Sequence, residues 1–290
     1  MQKELCEELY VKQFPLTMKI ERLLRQFESG HHAVSVVEGI TSDLIGCIES
    51  TKMAFLTQDQ FKRTEKGLIV LIYSMICQFF PEIALIEYAT RMKFLQRFYD
   101  QFVPIYRAEM TVRKFSDPES SYAILLPGGW VDLNNLEQLI AIKNLEHRRQ
   151  ISSAFCIRIS DFMNKKYRPL NITRLEFASI VGLLFWNCVE RILSDLIEEK
   201  IYSSNRDQLY AELHAIIAKN NLNCSNNSTI NNFPFSPIFA ESSIRFGRLL
   251  DLLSHLTIFS WESAEVFQMA KIFMDLPDLW DEINLPNNTK

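Results

Sequence analysis

The sequence predicts an all-α fold carrying one small β-hairpin. Three observations predict it. Apolar residues recur at the 3.6-residue helical period through most of the chain. One short stretch, near residue 127, sets two apolar runs on either side of a turn-forming tripeptide. Only 8 glycines occur in 290 residues, against 21 phenylalanines and 48% hydrophobic residues, a composition that fills a large core and excludes disorder. At this length the chain is one large domain or two small ones.

The period places helices over residues 15–28, 58–80, 87–114, 134–146, 148–165, 173–199, 206–220, 242–274 and 277–284. Pro81 closes the second, because proline disfavours the helical conformation of the residue before it. Pro104 sits inside the third and predicts a kink there. The hairpin is Tyr122–Leu126, then Pro127-Gly128-Gly129, then Trp130–Leu133. Between Asn220 and Asn232 seven of thirteen residues are Asn. This stretch reads as a loop rather than a domain linker, since the helices on either side both have one strongly apolar face and need the same core. No internal repeat is present.

The last quarter is the most informative. Phe246, Leu249, Leu250, Leu253 and Leu256 fall at i, i+3, i+4, i+7 and i+10, one continuous face of a long helix. Past Pro277, the segment Leu279-Trp280-Asp281-Glu282-Ile283 is too brief to be stable by itself. Its order must come from what it packs against, and helices of that kind dock and undock.

Composition also excludes. A formal charge of −4 gives no global field toward DNA, RNA or an anionic membrane. The six cysteines (Cys6, Cys47, Cys77, Cys156, Cys188, Cys224) show no C-x-x-C pair and no His at metal-ligand spacing, so reduced, buried thiols are expected, with no metal and no disulfide framework. The polar, acidic start, Met1 to Glu8, does not read as a signal peptide. The longest apolar run, Gly67 to Met75, is too short to span a bilayer. A soluble intracellular protein is the expectation. His31-His32, His147, His214 and His255 stand apart from any Cys, Ser or Asp at catalytic spacing, and no Gly-rich phosphate loop occurs, so neither an enzyme nor a cofactor is expected. The histidines read as surface or satisfied core residues. Basic clusters such as Lys165-Lys166 are too short to bind nucleic acid and read as solvated faces.

Several motifs in order carry a resemblance. They are Phe80-Pro81-Glu82-Ile83 with Ile86, Thr90-Arg91 and Phe94-Leu95-Gln96; then Leu175-Glu176-Phe177-Ala178; then Arg245-Phe246-Gly247-Arg248-Leu249-Leu250 with Trp261 and Ile272-Phe273. Together they resemble the ligand-binding domain of nuclear hormone receptors, most of all the hepatocyte-nuclear-factor-type receptors and their expanded nematode group. The resemblance covers roughly residues 58 to 285 and implies a domain over 58–290, with residues 1–57 an N-terminal segment whose first helix lies within Leu16 to Phe27. It implies a three-layer antiparallel helical sandwich. The family's Asp-Gln pair is Thr90-Arg91 here, and its zinc DNA-binding module is missing, which implies an excised domain or a receptor without its own DNA reader.

The resemblance implies a ligand-regulated transcription regulator, located in the nucleus and also the cytoplasm. A co-regulator groove would be formed by Ser74, Gln78, Tyr88, Met92, Leu95 and Gln96, completed by Leu279 and Glu282 of the last helix. Glu282 would accept from the unpaired amides at the N-terminus of a bound helix. The opposing basic positions are Gln78 and Gln96 here, so that half of the clamp is weakened. A lipophilic ligand would contact Met75, Phe79, Phe102, Arg107, Met110 and Trp130. The family's ligand-anchoring arginine falls at Met110, which argues for a neutral ligand or a pocket packed shut. Partners implied are co-regulator helices and a homo- or heterodimer through residues 243–274, with no direct nucleic acid contact and no membrane. Glu176 and Arg245 would pair as a structural bridge. The rival reading is a helical protein-interaction scaffold without ligand.

Overall fold

In the computed structural model, which describes residues 10–40, 54–55, 58–134, 153–154, 156–224, 237–273 and 280, helices stack in three layers. The first helix, α1 (Pro15–Val37), opens on a proline whose fixed φ suits the first turn. Its orphan amides are capped from far away in sequence. Glu212 accepts from the backbone N–H of Leu16 at 3.2 Å and of Thr17 at 2.8 Å. The periodicity predicts an end at residue 28, but the helix continues nine residues further. His31 and Ser35 carry its buried stripe through Gly30, which lies close against Leu71 of α2 (Gln58–Phe79).

α2 stops where Pro81 predicts, and a 3₁₀ turn, Pro81–Leu85, leads into α3 (Tyr88–Lys114). α3 runs unbroken through Pro104. Its buried face carries Phe98, Phe102 and Tyr106 at four-residue spacing. Their rings stack, with centroids 5.5 Å apart (6° between planes) and 5.6 Å apart (15°). The strands β2 (Tyr122–Leu126) and β3 (Gly129–Asp132) form the predicted hairpin, with Gly128 at φ 79° supplying the left-handed turn residue. The expectation of a hairpin alone needs correction. A two-residue strand, β1 (Ala54–Phe55), pairs parallel with β3 to make the sheet order β1-β3-β2. Two residues are too few to show an alternating pattern.

α4 (Arg174–Leu193) begins with a capping box, in which the Glu176 amide donates to the Thr173 hydroxyl and the Glu176 carboxylate accepts from the Thr173 amide. It is buried on nearly every side, as a middle-layer helix must be. The predicted helix over 173–199 ends early, and the predicted helix over 206–220 begins early. α4 ends at Leu193, and α5 (Glu199–Cys224) folds back against it. Gly182 is the point of closest approach: a Cβ there would lie 2.4 Å from Ile20 Cδ1 of α1 and 2.8 Å from Leu209 Cδ1 of α5. α6 (Pro237–Phe273) packs on α5 and α3. Between the sheet and α4, residues 156–161 are helical and widen into a π-helical turn, Phe162–Tyr167.

α1 and α2 thus cover one face, α3, α4 and α5 form the middle, and α6 with the Phe162–Tyr167 turn covers the other. One core runs through all of them, from Ile20 and Leu24 of α1 to Leu256 and Phe259 of α6. Among the described residues no helix is long and apolar enough to cross a membrane. Apart from Asn134, the predicted helix 134–146 lies outside the described residues, as does all of 277–284 except Trp280. Cys77, Cys156 and Cys188 are free thiols, and burial pushes Cys188 up to about 12 and Cys156 up to about 11.

Candidate functional site

The predicted groove residues fall on two helical rows. On α2, Val70, Ser74 and Gln78 recur every four residues on the exposed face, and Gln78 Nε2 donates to Ser74 Oγ at 3.2 Å. On α3, Tyr88, Met92 and Gln96 do the same, with Tyr88 and Gln96 exposed, Met92 half-buried and Leu95 buried beneath them. Arg91 ties the helices together. Its guanidinium lies 5.8 Å from the ring of Tyr73 on α2 and 5.6 Å from that of Tyr88, and it donates to the carbonyl of Ala84 at 3.1 Å. In the connecting turn Leu85 is 85% exposed. Val70, Leu85 and Tyr88 therefore leave apolar surface in water beside a polar rim, an arrangement that favours a partner.

Leu279 and Glu282 lie outside the described residues. Their neighbour Trp280 is described. Its indole packs edge-on against Tyr99, with centroids 5.3 Å apart and planes at 86°. Tyr99 is one turn beyond Leu95, so Trp280 meets α3 just past the row of Tyr88, Met92 and Gln96. The Tyr99 hydroxyl donates to Glu65 of α2, and the same carboxylate receives Arg107. Burial first, then the Glu65 charge, pushes the Tyr99 phenol far up and keeps it a donor.

The predicted ligand residues divide between two places. Met75 and Phe79 wall a small apolar space together with Phe98 and Phe185, and its volume is about 20 Å³. That is room for a water-sized body, whereas ligand pockets measure about 300–1,000 Å³. Phe79 meets Phe185 edge-on at 4.9 Å, and Phe102 is held within the stack along α3. Arg107 and Trp130 belong instead to the hairpin side. Arg107 Nε donates to the Leu125 carbonyl at 3.0 Å, its guanidinium lies 5.7 Å from the Phe61 ring, and Glu65 balances its charge. Trp130 packs edge-on against Tyr122 at 4.6 Å, and Met110 is half-buried on α3.

Two buried polar pairs stiffen this frame. Glu176, wholly buried, meets Arg245 of α6 in two hydrogen bonds of 2.7 Å, while Arg245 also donates to the carbonyls of Leu170 and Asn171. Burial raises the Glu176 pKa, but the bonds from Arg245 and Thr173 outweigh it and hold the carboxyl below its usual range. His31 of α1 sits 3.2 Å from the Tyr106 hydroxyl. Burial, then the charges of Arg107 and His32, pull it down to about 3, so it is a neutral core residue.

Glu65 and Tyr99 went unnoticed in the sequence. The available signal was a carboxylate on an apolar stripe: residues 65, 69, 72 and 76 share the buried face of α2, and a charge there demands a partner.

Two comparisons bear on this arrangement. A sequence model of the ligand-binding domain of nuclear hormone receptor matches residues 48–273. Among solved structures the chain is similar to the Ultraspiracle ligand binding domain from Drosophila melanogaster, at 14% identity and a TM-score of 0.51, covering 87% of this chain and 94% of that one. At that identity the likeness speaks for the fold alone. No curated protein matches the chain.

Proposed function

Because the chain belongs to the family of nuclear hormone receptor ligand-binding domains, we propose that it is a ligand-regulated transcription regulator that works in the nucleus and recruits co-regulator helices to the face between α2 and α3. The observation that carries the reading is the pair of exposed rows, Val70-Ser74-Gln78 and Tyr88-Met92-Gln96, with Trp280 seated on Tyr99 at their edge. An amphipathic helix laid along these rows buries its apolar side on Val70, Leu85, Tyr88 and Met92. The C-terminal segment completes the site, Leu279 adding apolar surface and Glu282 receiving the amides at the start of the bound helix. A homo- or heterodimer forms through residues 243–274. Its support is the outward face of α6, where Ile244, Ile258 and Trp261 are exposed and Gly247 has open space before it.

The test is Glu282→Ala together with Leu279→Ala. The double variant loses binding of a co-regulator peptide while its thermal midpoint stays within about 2 °C of wild type, because in this reading both side chains act on the partner rather than on the core, and such substitutions act within about 0.5 kcal/mol. Unchanged peptide binding refutes the assignment of the C-terminal segment.

A lipophilic ligand acts in this scheme by favouring the docked C-terminal segment over the undocked one. A second reading, switching without a small molecule, is favoured by one observation: Glu65 supplies from within the carboxylate that an acidic ligand would bring to Arg107. Mass spectrometry of small molecules that co-purify with the folded protein separates the two.

A further inference from the structure

Beside the rows of α2 and α3 lies an open cleft of about 410 Å³ between α1 and the end of α2, lined by Pro15, Met18, Lys19, Arg22, Gln26 and Gln78 among others. We propose that this cleft extends the co-regulator face and receives acidic residues that follow the bound helix, with Arg22 and Lys19 supplying the positive charge that Gln78 lacks. The inference rests on the co-regulator reading above and names the chemistry of the partner's C-terminal flank.

Three observations point there. Gln78 belongs to both places, as the last member of the exposed row on α2 and as a wall of the cleft, so a segment leaving one enters the other. Among the described residues the lining is amphipathic and of one sign: Lys19 and Arg22 are the charged residues in it, and none of its side chains is a carboxylate. Lys19 also shows the task these cations suit. Its Nζ donates to the Phe79 carbonyl at 2.9 Å and lies 5.1 Å from the Phe79 ring, capping the C-terminal end of α2. With Lys19 held there, the exposed Arg22 is the freer of the two to meet an incoming carboxylate.

The direction agrees with the chemistry. A helix bound with its N-terminus at Glu282 points its C-terminus, the negative end of its dipole, toward Gln78. A neutral amide there gives the exposed carbonyls hydrogen bonds but no charge. Acidic residues one or two positions later come within reach of Lys19 and Arg22, and attraction between exposed groups of opposite charge adds to the apolar contact.

The test uses two synthetic peptides with the same amphipathic helix, apolar at i, i+3 and i+4, one ending in Asp-Glu-Asp and one in Asn-Gln-Asn. Fluorescence anisotropy at low salt reports their affinities for the full chain. The acidic tail tightens binding by about three- to tenfold, and 0.5 M salt or Arg22→Glu removes that advantage while the neutral-tailed peptide binds both proteins alike. Equal affinities for the two tails overturn the inference and leave the co-regulator reading standing. If neither peptide binds, both fall. Displacement of the acidic-tailed peptide by free Asp-Glu-Asp at equal concentration overturns it in favour of a general anion site, and a dimer that dissociates on Arg22→Glu in sedimentation overturns it in favour of a second copy.

Discussion

Acidifying the protein to pH 5 places a proton on His31 in the unfolded chain and not in the folded one. The folded imidazole is held down to about 3 from 6.5 by burial, with Arg107 and His32 adding unfavourable charge and the Tyr106 hydroxyl hydrogen-bonded to the ring. Its folded pKa lies below the unfolded value, so its contribution is complete above about pH 6.5 and is lost as pH falls from there toward 3. Between pH 7.5 and pH 5 the unfolded state gains the proton over about 1.5 pH units below its midpoint, and at about 1.4 kcal/mol per unit the loss is about 2 kcal/mol. His31→Gln keeps a hydrogen-bonding group near Tyr106 and does not titrate. Urea unfolding of both proteins between pH 7.5 and pH 5 isolates the effect, because every other titrating group is common to the pair. The wild type loses about 2 kcal/mol more than the variant across that range. Parallel curves refute the placement of a neutral histidine in the core.

Two further outcomes follow from the same frame. In Gly182→Ala the new methyl meets Ile20 and Leu209; overpacking at a point where three helices touch costs about 1–3 kcal/mol and outweighs the roughly 1 kcal/mol of helix propensity gained, so the urea midpoint falls. A rise in midpoint contradicts the close approach of α1, α4 and α5. In Glu176→Gln, Arg245 keeps its carbonyl partners but loses its carboxylate, and stability at pH 7 drops by about 3 kcal/mol. Since the Glu176 pKa is lowered in the folded state, the wild-type advantage is full above the ordinary carboxylate range and shrinks as pH falls below it toward the folded pKa; an advantage of the same size at pH 7 and pH 3 contradicts the pairing.

Where local chemistry decides structure, the chain could be read directly. α2 and α3 show their apolar period without interruption and are punctuated by Pro81, and Gly128 occupies the one hairpin position that favours a left-handed residue. The rows on α2 and α3 came from resemblance rather than from period, because exposed Ser74, Gln78 and Gln96 read as ordinary surface residues in the sequence pattern. Distance in sequence hid the rest. Ser29-Gly30-His31 looks like a helix end, yet burial of His31 against Tyr106 and of Gly30 against Leu71 carries α1 onward. The break after Leu193 has no Gly or Pro to announce it. The Asn-rich stretch still begins inside α5, where Asn221 Nδ2 bonds Ser242 Oγ of α6 at 2.9 Å. Glu65 with Arg107, and Tyr99 with Trp280, are pairings 42 and 181 residues apart that no local pattern encodes.

The cap that Glu212 places on the first helix has a consequence for biosynthesis. The amides of Leu16 and Thr17 wait for a carboxylate 196 and 195 residues downstream, and on the ribosome that acceptor emerges only after most of the domain has been made. The opening helix is therefore among the last to lock. A nascent chain stalled before residue 212 carries it uncapped, with the seam meant for α4 and α5 open to chaperones.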